Sequence, residues 1–189
     1  MTTSACPGCG LVLPDTGRTP PAERGASAAC FERYGELLAR SYGIAAYRPV
    51  HQIVVDACIA QHPGGTSRRE TQAIALCLMT LGLFVEDGAD PRDGAELHKK
   101  MVANRPEFHP LAPPPLTGLM TVEDVLTASD AAEHAKLVWA WGTETWQAWA
   151  PHHATIRAWN KQALFDQELS GFRPHPPVHR PNGPPNQSD

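Results

Sequence analysis

Apolar residues recur at helical spacing along most of this chain. In the first such stretch, residues 28–42, they stand three or four positions apart, as on one face of a helix. A second helix is predicted over residues 47–61 and ends at the helix-breaking segment His-Pro-Gly-Gly. A third, over residues 67–88, carries apolar residues around most of its circumference, which predicts that it is the central and most buried helix.

Prolines interrupt the helical pattern in the second half of the chain before it returns. Residues 88–118 form a polar, Pro-rich connection, with one short helix predicted over residues 95–102. A long helix is predicted over residues 130–149, and Pro151 suits the first position of a last helix that runs to about residue 169. No segment alternates polar and apolar residues in the way that predicts a strand.

Two pairs of residues have the spacing of a capping box, which marks the start of a helix. They are Ser67 with Glu70 and Thr121 with Asp124, and the second pair predicts a short helix of its own. The segment 63–69 also sets two glycines, two hydroxyls and two arginines at a helix N-terminus, where an anion can dock. It has neither the lysine nor the preceding strand of a nucleotide-binding loop.

These patterns together predict an all-α fold, a compact bundle of about five or six helices with a zinc-knuckle-like loop at its N-terminus. Residues 1–27 show no periodicity and are predicted to be a loop that packs on the domain and is ordered by a metal. Residues 28–170 are predicted to form the helical domain. Residues 171–189 hold six prolines and no core-forming pattern, which predicts a disordered Pro-rich tail.

The most specific chemical motif is CPGCG at residues 6–10, here called the knuckle. Cys6 and Cys9, in a turn shaped by proline and glycine, can grip one soft metal ion from a single loop. A structural zinc takes four ligands, so the chain must supply two more. Cys30 is predicted to be the third, because it stands at the start of a helix, where a thiolate is stabilised.

The fourth ligand remains open between His51, Cys58, His62 and a histidine of the last helix. The first three lie on one stripe of the second predicted helix, with Asp56 on its flank. His51 and His62 are three turns, or about 16 Å, apart, so they cannot share a metal on a straight helix. Pro63 is expected to push His62 out of helical geometry. In the alternative interpretation, His51 and Asp56 are buried polar residues that tie helices together.

Histidines and tryptophans are concentrated near the end of the predicted bundle. His152 and His153 fall in the first turn of the last helix, where the helix dipole favours the neutral imidazole that a metal or a general base needs. Adjacent helical residues point about 100° apart, so only one ring is expected to face inward. In the alternative interpretation, the pair caps the helix and one histidine lies in solvent. All five tryptophans lie within residues 139–159, where they wall a ligand pocket or, more simply, pack the core.

Composition narrows the classes of function. The chain has 189 residues, a net charge of -4 and no basic stripe, which argues against nucleic acid or a membrane surface as its partner. No secretion signal or membrane-spanning segment is predicted. Its five cysteines, an odd number, fit thiols and metal ligands better than a disulfide framework. We therefore expect a cytoplasmic protein.

The order of these motifs resembles that of a family of short, uncharacterised bacterial proteins, a domain of unknown function. The resemblance covers about residues 5–165 and rests on CPGCG, Cys30, YGELLAR at 34–40, His51-Gln52, Val55-Asp56, QHPG at 61–64, WAPHH at 149–153 and Trp159. Cys58 stands where that family is expected to carry tyrosine, which argues against Cys58 as a ligand. The resemblance implies a compact protein whose thiolates and histidines matter, and it implies no particular activity.

Two main functions are compatible with these observations, and a third interpretation is a partner-binding module that uses the Pro-rich tail, residues 171–189. The first is an accessory or binding protein whose structural Zn²⁺ is held by Cys6, Cys9, Cys30 and one further ligand, and whose partner is an unknown small molecule or protein. The second is a metal-dependent enzyme of the hydrolase or transferase type, with a His/Asp cluster beside a Trp-lined pocket. Its candidate ligands are His51, His62 and His152, and its candidate catalytic residues are Asp56 and His153. A closed four-ligand site favours the first function, and an open coordination position favours the second.

Overall fold

Seven α-helices and one small hairpin make up the fold in a computed structural model that describes residues 2–20 and 22–165. The strands are β1 (Thr3–Ala5) and β2 (Val12–Pro14). The helices are α1 (Ala28–Gly43), α2 (His51–Gln61), α3 (Arg68–Val85), α4 (Gly94–Ala103), α5 (Val122–Leu126), α6 (Ala131–Ala148) and α7 (His153–Asn160). The predicted helical bundle is confirmed, with seven helices where five or six were expected. None of these helices is long and apolar enough to cross a membrane.

Turns of other helical types adjoin two of the helices. A 3-10 segment over Ala45–Val50 leads into α2, since Pro49 has no amide hydrogen to donate within an α-helix. A second 3-10 turn over Ala150–His152 leads into α7, and a π-helical turn over Lys161–Phe165 follows it. The end of the predicted last helix and the predicted tail, residues 166–189, lie outside the described residues.

Both predicted capping boxes are present. The Ser67 hydroxyl accepts a hydrogen bond from the amide of Glu70, and the Glu70 carboxylate accepts one from the amide of Ser67. The carboxylate of Asp124 likewise accepts from the amide of Thr121 at 2.7 Å. Glu70 also accepts from the amide of Gly65 at 2.6 Å. The amides that were predicted to attract an anion therefore bind the protein's own carboxylate.

Helix α3 forms the centre of the core, as predicted. Every residue from 74 to 84 is buried, and the helix packs against α2, α6 and α7. The largest fully buried side chains include Trp141, Trp146 and Trp149. For these three tryptophans the simpler interpretation, packing of the core, is the one that the structure supports.

The two strands pair antiparallel on either side of the knuckle, with Ala5 opposite Val12. The sequence predicts a loop here and shows no strand pattern, which leaves a small hairpin at the knuckle open, and the structure has that hairpin. Each strand has three residues and is almost wholly exposed. Such strands leave no alternation of buried and exposed positions for sequence analysis to detect.

Candidate metal centre

Four buried side chains converge where the knuckle, the start of α1 and the end of α2 meet. They are Cys6, Cys9, Cys30 and His62, here called the CCCH cluster. Their potential ligand atoms all lie within 4.8 Å of one another, and each residue is at most 3% exposed. Sγ of Cys30 lies 3.8 Å from Sγ of Cys9 and 3.4 Å from Nε2 of His62. This arrangement can hold one metal ion.

Backbone hydrogen bonds close the knuckle into a tight turn. The amide of Cys6 donates to the carbonyl of Leu11 at 2.8 Å, and the amide of Gly10 donates to the carbonyl of Cys6 at 2.9 Å. Gly10 has a φ of 78°, in the left-handed region that favours glycine. At Gly8, a Cβ would lie 2.5 Å from the carbonyl oxygen of Gln61. Glycine at these two positions therefore lets the knuckle close and pack against the end of α2.

Ser27 connects the knuckle to α1. Its hydroxyl accepts a hydrogen bond from the amide of Cys30 at 3.2 Å and so caps the helix. Its own amide lies 3.4 Å from Sγ of Cys6 and donates to that sulfur. One residue therefore positions a thiol on the knuckle and the first turn of the helix that carries another.

The ring of His62 is oriented by the helix that it ends. His62 is the C-cap residue of α2, and it leaves helical geometry before Pro63, as predicted. Its Nδ1 lies 2.6 Å from the carbonyl oxygen of Cys58, so Nδ1–H donates to that oxygen and the lone pair of Nε2 faces the thiols. The Cys58 thiol lies on the Nδ1 side of the ring, with Sγ 3.6 Å from Nδ1. Of the alternatives left open for the fourth position, only His62 joins the three cysteines within the described residues.

The electrostatics of the CCCH cluster favour negative charge on the sulfur of Cys6 and positive charge on His62. Hydrogen bonds from the thiols of Cys30 and Cys9 hold the pKa of Cys6 well below its usual range. Burial acts to lower the pKa of His62, but hydrogen bonds to Cys58, Cys6 and Cys9 outweigh burial and raise that pKa to about 12. A buried thiolate must be compensated by a positive charge. A metal ion bound to the sulfur compensates it better than a protonated histidine does.

His51 lies at the opposite end of α2 from the CCCH cluster. The rise of the helix puts it about 16 Å from His62. Its ring packs on Tyr42, with 4.6 Å between the ring centroids, and burial lowers its pKa. The structure therefore does not bring this candidate ligand to the three cysteines.

His152 and His153 also lie outside the CCCH cluster, around the start of α7. Nε2 of His152 is 2.8 Å from the carbonyl oxygen of Ala112. His153 stacks on Trp146, with the ring centroids 3.8 Å apart and the ring planes within 7° of parallel. Its Nε2 lies 2.9 Å from the Trp146 carbonyl oxygen. Each ring thus hydrogen-bonds to a backbone carbonyl, and neither ring joins the three cysteines.

Asp56 is the centre of a second buried polar group, the Asp56 network, which consists of Gln52, Asp56, Thr80 and His98. The carboxylate accepts hydrogen bonds from the Thr80 hydroxyl at 2.6 Å and from the Gln52 amide at 2.9 Å. Nε2 of His98 lies 3.6 Å from the carboxylate. Burial raises the pKa of Asp56 to about 7. The network joins α2, α3 and α4, which matches the alternative interpretation of Asp56 as a residue that ties helices together.

The residues of the predicted enzyme site do not converge in the described part of the chain. Asp56, His62 and His153 make their hydrogen bonds in three separate places. His98, which contacts both Asp56 and Thr80, was not singled out from the sequence. It stands in a short helix between polar segments, where no spacing pattern marks a contact across three helices.

The helical bundle and its CCCH cluster define a small helical protein with a buried site that can hold a metal ion. The chain belongs to a family of unknown function, DUF5946, whose sequence profile matches residues 4–150. The match confirms the resemblance to an uncharacterised family and spans all four residues of the cluster. No curated protein and no solved structure matches the chain significantly.

Proposed function

We propose that the protein binds one zinc ion at Cys6, Cys9, Cys30 and His62 and that this zinc is structural. The observation that carries the proposal is the convergence of four buried ligand atoms, all within 4.8 Å of one another, from three separate segments of the chain. The protein is then a small metal-binding accessory or binding protein, which acts through a partner and not through chemistry at the metal.

The ligands of the CCCH cluster fit zinc in kind and in spacing. A Zn–S bond of about 2.3 Å and a tetrahedral angle place two bound sulfurs about 3.8 Å apart. The Sγ atoms of Cys9 and Cys30 are separated by 3.8 Å. Thiolate and imidazole suit zinc, whereas Mg²⁺ and Ca²⁺ take oxygen ligands. The hydrogen bond from His62 to the Cys58 carbonyl supplies the outer support that metal-binding histidines usually have.

A closed coordination shell favours the structural role over catalysis. Four protein ligands fill a tetrahedral zinc site and leave no position for water or substrate. The hairpin buries little of its own surface. A metal would therefore join the hairpin to α1 and α2, and its binding free energy would become folding free energy.

A reducing compartment suits these thiols. All five cysteines of the chain are free, and none forms a disulfide. Structural zinc sites of this type rely on thiolates that disulfide formation would consume. We accordingly propose a cytoplasmic location for the protein.

Metal analysis of the purified full-length chain tests the proposal. Mass spectrometry of the native protein is expected to give one equivalent of zinc, which Cys9→Ser and His62→Ala each abolish or strongly reduce. The matched controls are Cys77→Ala and His51→Ala, which remove a buried cysteine of α3 and a histidine of α2, neither of which belongs to the CCCH cluster. Both controls are expected to retain the metal.

Two results would overturn the proposal. One is a native protein that is folded, reduced and free of metal after purification without chelators. The other is full zinc content in Cys9→Ser together with its loss in His51→Ala, which would move the site to the far end of α2.

A further inference from the structure

A cavity of about 180 Å³ lies directly behind the CCCH cluster. Cys30 and His62 form part of its wall, so the side chains that face one another in the cluster also border this space. Cys58, which belongs to neither the cluster nor the Asp56 network, lines the same cavity. The proposed structural zinc has no use for this space, because its four ligands are complete without it.

Tyr34 supplies a hydroxyl to the wall of the cavity. The residue lines this space, and its hydroxyl makes no hydrogen bond to another residue that the structure describes. A phenolic hydroxyl can both donate and accept a hydrogen bond. The Tyr34 hydroxyl is therefore available to a polar group that enters the cavity.

The cavity also holds one side-chain cation and no carboxylate. Arg24 lines the wall, and no aspartate or glutamate does. Among the described residues, Arg24 forms no ion pair, in contrast to Arg33, Arg69 and Arg157. Arg24 and Tyr34 line the same cavity. A guanidinium and a phenol are hydrogen-bond donors suited to a carboxylate.

The size and the remaining wall limit what else the ligand can contain. A dry cavity of about 150 Å³ is known to take up benzene, so this space fits a single ring or a short branched chain. Phe31, which is 43% exposed and packs against Tyr34 at 5.9 Å between centroids, provides an apolar edge open to solvent. The space is too small for the drug-sized ligands that fill pockets of about 300 Å³ or more.

We propose that this cavity binds a small organic carboxylate, with its charged end on Arg24 and Tyr34 and its apolar body against Phe31 and the outer side of Cys30 and His62. The proposal rests on the proposed zinc site, since the metal would fix two residues of the wall. The protein then holds a compact acid beside its metal centre.

Titration with benzoate tests the proposal, with benzamide as the uncharged probe of the same shape. Using zinc-loaded full-length protein and isothermal titration calorimetry, we expect benzoate to bind and benzamide to bind at least tenfold more weakly. Arg24→Gln is expected to weaken benzoate binding about tenfold or more, and Tyr34→Phe about three- to tenfold. The matched control is Arg68→Gln, because Arg68 is exposed and lines a different, open groove of about 560 Å³.

Each other outcome overturns the proposal. Absence of benzoate binding at millimolar concentration to protein with a full equivalent of zinc removes the cavity as a carboxylate site. Equal binding in Arg24→Gln, or loss in Arg68→Gln, assigns the anion to another surface. If Arg24→Gln lowers zinc content while the native protein ignores benzoate, Arg24 only balances the charge of the thiolates.

The zinc proposal and the cavity proposal fail in different measurements. Zinc content is determined on every sample before titration. If the native protein contains no zinc but binds benzoate in an Arg24-dependent way, the zinc proposal is overturned and the cavity proposal stands. If the protein contains a full equivalent of zinc but does not bind benzoate, the cavity proposal is overturned and the zinc proposal stands.

Discussion

The CCCH cluster and the Asp56 network are both buried polar groups that include a histidine. They differ in what their polar atoms face. In the Asp56 network, Thr80 and Gln52 donate to the two oxygens of the carboxylate, so the acid is satisfied by neighbouring helices. In the CCCH cluster, three sulfurs and a ring nitrogen face a common centre. The comparison shows that convergence of ligand atoms, and not burial of a polar residue, distinguishes a metal site from a structural tie.

The largest expected effect is the loss of thermal stability when the proposed metal is removed, because this change acts on the CCCH cluster and not on the Asp56 network. A ligand that binds only the folded state at a thousandfold above its Kd stabilises that state by about 4 kcal/mol. Chelation of zinc is therefore expected to lower the melting temperature by roughly 8 to 16 °C for a domain of this size. Thermal unfolding followed by circular dichroism, with and without a chelator, measures the shift.

Variants in each region provide the control for chelation. Cys9→Ser should already melt low, and a chelator should change its melting temperature no further. Thr80→Val should show the same chelator shift as the native protein from a lower starting point. Identical melting curves of the native protein with zinc and with chelator would mean that the cluster contributes no stability through a metal.

The next effect belongs to the Asp56 network. Thr80→Val keeps the shape of the side chain but removes the hydroxyl that donates to the buried Asp56 carboxylate at 2.6 Å. At pH 8, above the raised pKa of Asp56, loss of a hydrogen bond to a charged group is expected to cost about 1.5 to 3 kcal/mol. Urea unfolding measures this, with zinc content unchanged. Thr80→Ser keeps the donor and serves as the matched variant; if it costs as much as Thr80→Val, the hydrogen bond is not the cause.

The helical part of the fold could be predicted because its cause is local. Residues 74–84 of α3 are apolar around most of the helix, which is typical of a central helix. Capping pairs such as Ser67 with Glu70 act within four residues, so sequence alone locates them. The hairpin could be left open but not predicted, because its strands are three residues long and exposed.

The two polar groups differ in how far the sequence could predict them. The three cysteines of the CCCH cluster could be proposed from thiolate chemistry, and Pro63 indicated that His62 leaves the helix. The choice of His62 as the fourth member required the packing of the knuckle against the end of α2. Gln52 stands one turn before Asp56 on the same helix, where side chains can meet. Thr80 and His98 could not be predicted as partners, because they reach Asp56 from two other helices and no spacing rule connects them.

The pH dependence of stability sharpens the comparison further. The pKa of Asp56 is raised by burial from about 3.9 in an unfolded chain to about 7. The folded state therefore binds more protons than the unfolded state between these values, so the contribution of Asp56 to stability falls as pH rises from about 4 to about 7 and is constant above. The slope is at most about 1.4 kcal/mol per pH unit. Urea unfolding at pH 5 and pH 7 should show this fall.

Asp56→Asn tests that assignment without disturbing the shape of the network. The asparagine amide can donate to the Thr80 hydroxyl, which can in turn donate to the Leu76 carbonyl at 3.0 Å. Relative to this variant, the native protein is expected to lose roughly 1 to 2 kcal/mol of stability between pH 5 and pH 7. Protonation of cluster thiolates affects both proteins alike and cancels. A constant difference between the two proteins would mean that Asp56 does not titrate in this range.

The smallest expected effect concerns the helix caps. Two caps of similar strength are compared by their effect on the proposed metal site. Ser27→Ala and Ser67→Ala each remove one side-chain cap, at a cost of about 1 kcal/mol in stability. Only Ser27 holds the turn that carries Cys30, through the hydrogen bond from the Cys30 amide at 3.2 Å. Fraying of that turn should weaken zinc affinity about fivefold, the factor that corresponds to about 1 kcal/mol, whereas Ser67→Ala should leave it unchanged. Competition with a zinc-binding dye measures both. Equal zinc affinity in the two variants would show that the CCCH cluster holds α1 in place without help from its cap.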